Sequence, residues 1–253
     1  MTKRIIIGSK KRKTYAAFSL DNGTVVGGTV KEFEWRGCPI IYRERKVEEK
    51  LRGGIPICFP YAGMPPERFG TQQHGWLRHQ QLEIIDSAEN SITLYGKNKP
   101  TENYPWQLAY TIVTSISPMG LKQKLTAERL SDGIDPLAPV NPMFHHYFKN
   151  CGRSIAIIGN ERVLDFSKDA KINPVSRSIV IDSGRWLMRM ELGGDFNKNS
   201  CVTLWSDNAK NYFCVEPVLT SPNMFNNTKG GKFLHVGQAL KMICNIIPYA
   251  HYI

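Results

Sequence analysis

A chain that breaks into short β-branched and aromatic runs, with scarcely any helical period between them, can bury its apolar side chains only as stacked or closed sheets. The runs here are RIIIG, TVVGGTV, PIIYR, SITLYG, LAYTIVTSI, LKQKLTAERL, SIAIIG, RSIVID, WLMRMEL, CVTLW, NYFCVEP and ALKMICNII. Gly, Asn, Asp, Ser or Pro separates most of them, and these are the residues that turns require. No strand–helix–strand alternation, internal repeat or low-complexity linker is visible. The pattern predicts an all-β, mainly antiparallel sandwich, and a length of 253 residues suits a single domain over 1–253.

Charge and cysteine usage narrow the function classes. The balance of 33 basic against 22 acidic residues leaves +11, which raises nucleic acid as a partner. Only Lys10 to Lys13 (KKRK) cluster, however; elsewhere the bases are mixed with acids, as in RERKVEEK at 43–50. With no zinc-finger, RRM or basic-zipper pattern, the charge reads as a solvated basic surface, and neither nucleic acid nor membrane is expected as a partner. The six cysteines form no CxxC pair and show no ligand spacing to the histidines, so no metal is expected and the thiols should be free. The apolar run of MTKRIIIGSKKRK is too short for a signal peptide, which predicts a cytoplasmic protein. The oligomeric state is not legible.

One segment departs from the strand rhythm. Residues 53–75, GGIPICFPYAGMPPERFGTQQHG, hold five glycines and four prolines. That density predicts a long shaped loop of the kind that carries function. Arg52 precedes it, and His74, Trp76 and Arg78 lie at its far end. Further on, NPMFHHYFKN (141–150) sets two histidines side by side in an aromatic run. In a strand Met143, His145 and Tyr147 share one face, whereas Phe144, His146 and Phe148 share the other. Only one of the two histidines can face a given site. In NYFCVEPV, Pro217 biases Glu216 toward extended backbone, which leaves an acid at the end of an apolar run.

These segments together resemble the aldose 1-epimerase (mutarotase) family, especially its hexose-6-phosphate branch, from about residue 25 to the C-terminus. The residues that carry the resemblance are Arg52-Gly53-Gly54-Ile55-Pro56 with Phe59-Pro60, His74-Gly75 with Arg78, and Tyr104-Pro105. They continue through His145-x-Tyr147-Phe148, Trp205 and Cys214-Val215-Glu216-Pro217. The resemblance implies a galactose-mutarotase-like β-sandwich, and a cofactor-free interconversion of α and β anomers of a sugar or sugar phosphate. It selects His145, not His146, as the catalytic histidine, and pairs it with Glu216. His74 and Asp207 would bind sugar hydroxyls, Arg52 and Arg78 would hold a phosphate, and Trp76 would stack on a sugar face. Two departures from the phosphate branch leave the substrate open: Trp76-Leu77 replaces Phe-Ala before the arginine, and the segment after Trp205 is short.

The chemistry accounts for the residue types. Mutarotation takes the proton from the C1 hydroxyl and gives one to the ring oxygen; the ring opens, the C1–C2 bond rotates, and the ring recloses on the other face. One acid and one base suffice. At ordinary pKa values Glu216 is ionised and serves as base, while His145 donates toward the ring oxygen, the two standing on opposite edges of the sugar. A second reading is a non-catalytic carbohydrate-binding protein on the same scaffold; a third is nucleic-acid binding through the basic charge.

Overall fold

The computed structural model describes residues 3–47, 49–65, 67, 72–131, 137–223 and 231–251. Nearly every element is an antiparallel strand, and Leu77–His79 forms a 3-10 turn. The all-β, mainly antiparallel sandwich expected from the sequence is the architecture observed.

Fourteen strands form one large sheet. Its centre runs Trp186–Gly194, Ala239–His251, Gly120–Arg129, Leu108–Ser117, Ser91–Lys97 and Gln81–Ala88, each antiparallel to the next. Strict alternation explains why these segments lie flat on a core. In the C-terminal strand Leu240, Met242, Cys244 and Ile246 are buried, while the intervening Lys241 reaches solvent. Each apolar side chain sealed this way contributes about 1.5–3 kcal/mol.

A second sheet of six strands lies over that core: Lys171–Pro174, Cys201–Trp205, Tyr212–Val218, Met143–Phe144 and Ile57–Cys58, with His146–Lys149 also on Tyr212–Val218. Its central strand is covered on both faces: all seven residues of Tyr212–Val218 are buried. Phe213 and Val215 join Phe144, Phe148 and Met242 in the shared core. The alternate residues Tyr212 and Cys214 pack instead with Tyr42, Tyr147 and Trp205 on the outer face, where Glu216 also points.

Local readings mostly survive, with two exceptions. TVVGGTV is not one strand: pairing ends at Val26, and Gly27 and Gly28 turn the chain with positive φ. A Cβ on Gly27 would stand 2.5 Å from the Arg78 carbonyl oxygen, so glycine is needed for this turn to seat the backbone of Arg78. In PIIYR only Pro39 belongs to a strand, and Ile41 makes an isolated bridge to Phe148. All six cysteines are free. Among the described residues no helix is long and apolar enough to cross a membrane.

Candidate active site

The aromatic run at 141–150 is extended but not continuous. Met143–Phe144 and His146–Lys149 are strands, and His145 lies between them with its N–H donated to the Pro56 carbonyl. The alternation predicted from sequence holds across this break. Met143, His145 and Tyr147 line a cleft of about 770 Å³, whereas Phe144 and Phe148 enter the core. His146 is fully buried on the core side, its Nε2 3.5 Å from Cys244 Sγ in the large sheet. Only His145 faces the cleft.

Strand pairing brings the acid to it. His146 pairs with Val215 and Thr203 with Glu216, so Glu216 and Thr203 stand abreast on the cleft side of their sheet. His145 Nε2 and Glu216 Oε1 are 3.3 Å apart, and both residues are under a tenth exposed. The imidazole of His145 stacks on Tyr147 at 4.5 Å between centroids and meets Trp205 edge-on at 6.1 Å.

Burial reverses the ionisation expected from ordinary pKa values. It pushes the Glu216 carboxyl up to about 8, and it holds His145 well below the usual imidazole range, with His74 and Arg78 adding repulsion. A low-dielectric site favours a neutral hydrogen-bonded pair over an ion pair. Both shifts favour a protonated Glu216 beside a neutral His145 near neutral pH. The pair also stands in direct contact, not across a sugar.

His74 closes the third side, held in a left-handed backbone conformation at φ 68°. Its own N–H donates to the Gly63 carbonyl, and its Nδ1 accepts from the Gly63 N–H at 3.0 Å. That second bond fixes the tautomer: the remaining proton is on Nε2. Burial, with Arg78 nearby, lowers its pKa to about 4, so His74 is a neutral donor. Its ring meets that of His145 edge-on at 5.8 Å. Gly75 makes this possible, because a Cβ there would stand 2.1 Å from the Phe59 carbonyl oxygen. The close approach at Gly75 is one of backbone to backbone. The segment predicted as a shaped loop does line the cleft, through Pro56, Gly63, Met64, Gln73 and His74.

On the rim, Arg52 is committed to Asp207: its Nε and Nη2 donate to Oδ2 at 2.8 and 2.5 Å. Asp207 also accepts from the Tyr212 hydroxyl, and the guanidinium lies 5.2 Å from the Trp205 ring centroid. Asp207 therefore anchors Arg52 and does not itself line the cleft. Arg78 lines the cleft and has no acidic partner among the described residues; its Nε donates to His79. Trp76 is not in the cleft. It packs edge-on against Tyr104 and Phe59 and lines a neighbouring pocket with Lys97, Lys99 and Thr101. The aromatic wall of the cleft is Trp205, with Tyr147.

Thr203 went unrecognised from sequence. Its hydroxyl is buried in the cleft wall without a hydrogen-bond partner. Period-two alternation in CVTLW, which places Thr203 on the same face as Trp205, is the signal that could have found it.

The chain matches no protein-family model and no curated protein sequence. Solved structures do match. A protein of Synechocystis sp. PCC 6803 is 18% identical with a TM-score of 0.77, over 98% of this chain and 97% of that one. A candidate aldose 1-epimerase of Escherichia coli K12 is 13% identical with a TM-score of 0.74, over 98% and 99%. A galactose mutarotase related enzyme of Lactobacillus acidophilus is 15% identical with a TM-score of 0.71, over 98% of each chain. At such identities the likeness is one of fold, and that fold is the galactose-mutarotase-like β-sandwich.

Proposed function

We propose that the protein is a mutarotase, interconverting the α and β anomers of an aldose. The observation that carries the reading is the Glu216–His145 pair, Oε1 and Nε2 3.3 Å apart on the floor of a cleft whose third side is the Nε2–H of His74. The C1 hydroxyl and the ring oxygen are bonded to one carbon, so an acid and a base side by side can reach both. Glu216 gives its proton to the ring oxygen as His145 takes that of the C1 hydroxyl, and the ring opens. After rotation about C1–C2, reclosure returns both protons. A proton passed first from Glu216 to His145 would reverse the labels without changing the count, so either assignment uses the same protonation state of the pair. His74 donates to the ring oxygen or a neighbouring hydroxyl.

The same cleft suits a sugar 6-phosphate. Arg78 presents a guanidinium without an acidic partner among the described residues, and Arg52 is held beside Trp205 by Asp207. A guanidinium fork fits a phosphate dianion. The deciding experiment is α/β exchange followed by NMR magnetisation transfer on glucose 6-phosphate, glucose and galactose. Acceleration on the phosphate, lost in Glu216→Gln, supports the full reading. Acceleration on free sugars alone keeps the reaction and removes the phosphate. Sugar binding with an unchanged exchange rate would make the protein a carbohydrate binder instead.

A further inference from the structure

The strand pairing that makes the acid–base pair also brings a thiol to it. Cys214 pairs with Tyr147 on one side and Trp205 on the other, on the same face as Glu216. Its Sγ, a ring nitrogen of His145 and a carboxylate oxygen of Glu216 all lie within 4.8 Å of one another, and all three residues are buried. We propose that His145, Cys214 and Glu216 form a three-ligand site for a borderline divalent cation such as Zn²⁺ at the floor of the cleft, and that its occupancy blocks the proton transfer.

The donor set and the spacing support this. One nitrogen, one sulfur and one oxygen, two of them on residues that line the cleft, match a three-ligand zinc site, and a single oxygen ligand disfavours Mg²⁺ and Ca²⁺. With bonds of about 2.0 Å to nitrogen and oxygen and about 2.3 Å to sulfur, the edges of a tetrahedron are about 3.3–3.6 Å. The His145–Glu216 edge is already 3.3 Å. The thiol, at most 4.8 Å away, closes the figure with an adjustment of about 1.5 Å or less. Ladders on both sides hold the backbone of Cys214, so the ligands are assembled before a metal arrives. On binding, the Cys214 thiol proton and the proton held on Glu216 both leave to the buffer, and the thiolate and the carboxylate become ligands. Among the described residues His145 Nδ1 has no hydrogen-bond partner, where a zinc-bound histidine usually has one. The site should therefore bind more weakly than a structural zinc centre and release its metal to a chelator. The other buried histidine–cysteine contact, His146 with Cys244, has no carboxylate in a cluster with it among the described residues.

The site stands on geometry whatever the cleft catalyses; only the inhibition rests on the mutarotase reading. The test is titration of chelator-treated, reduced full-length protein with Co²⁺, followed by absorbance. A thiolate-to-cobalt charge-transfer band should saturate at one equivalent, disappear on addition of Zn²⁺, be lost in Cys214→Ser and persist in Cys244→Ser. Circular dichroism verifies that each variant folds; should Cys214→Ser not fold, Cys214→Ala takes its place. Zn²⁺ should also raise the melting temperature of the parent protein and not that of the variant. In the exchange assay Zn²⁺ should inhibit at the concentrations that displace Co²⁺, reversibly with chelator, and at least tenfold more weakly in the Cys214 variant. No saturating band, or a band retained without Cys214, overturns the site. A saturating band in a protein that never accelerates anomer exchange keeps the site and refutes the mutarotase reading.

Discussion

Glu216 is a carboxyl that burial has moved from an ordinary value of 4.5 to about 8, which is where an acid–base catalyst at neutral pH is useful. Its consequences can be measured. In metal-free protein kcat/KM should be flat near neutrality and fall as pH rises through about 8, when the pair loses its one shared proton. A profile that instead climbs through pH 8 would mean that ionised Glu216 is the working form. Glu216→Gln should lower exchange on the order of 10²–10⁴-fold, as should His145→Asn. A carboxyl whose folded pKa is raised gives most stability below about 4.5 and loses it as pH rises toward 8, so at neutral pH the amide removes a liability. Glu216→Gln should thus melt higher than the parent at pH 7. His146→Asn should behave oppositely, melting lower because it disturbs the core while keeping most of the exchange rate per folded molecule. Comparable activity losses at the two histidines would refute the assignment of faces.

Among the elements, the two that matter most are the Tyr212–Val218 strand and the loop that ends at Gly75. The strand was legible in outline, since NYFCVEP has strand composition and Pro217 favours extended backbone. Its two-faced burial was not, because only the arrival of His146–Lys149 and Cys201–Trp205 on either side decides what each face meets. The loop's glycine and proline density announced a shaped segment, yet nothing in the sequence said that Gly63 and His74 lock one another through two hydrogen bonds. Gly75→Ala puts a methyl against the Phe59 carbonyl at a positive φ. It should cost more than about 1 kcal/mol of stability and shift His74, which thermal denaturation and the exchange assay would register together. Unchanged melting and activity would show that the loop tolerates a different path. Asp207→Asn tests the rim: by loosening Arg52 it should raise KM for a phosphorylated sugar severalfold with kcat little altered, and an equal fall in both would place Asp207 in the chemistry.

At the scale of the whole molecule the open question is the net charge of +11. A positive field draws in anions, and salt of about 0.15 M screens it beyond roughly 8 Å. If the physiological substrate is phosphorylated and capture limits turnover, kcat/KM for it should fall as salt rises while that for the neutral sugar stays level. Equal salt dependence would detach the charge from the substrate.

The sequence by itself determined the all-β class, most strand locations and the opposite facing of His145 and His146, because period-two alternation and turn residues are local properties of the chain. It also marked Glu216, His74, Arg52 and Arg78 through short motifs. Only the tertiary structure decided what those groups are to one another: that Arg52 is bound to Asp207, that Trp76 faces a different pocket while Trp205 walls the cleft, and that Cys214 joins His145 and Glu216. It alone raised the pKa of Glu216, because a pKa depends on how much water and which charges surround the group, and those come from segments far apart in the chain.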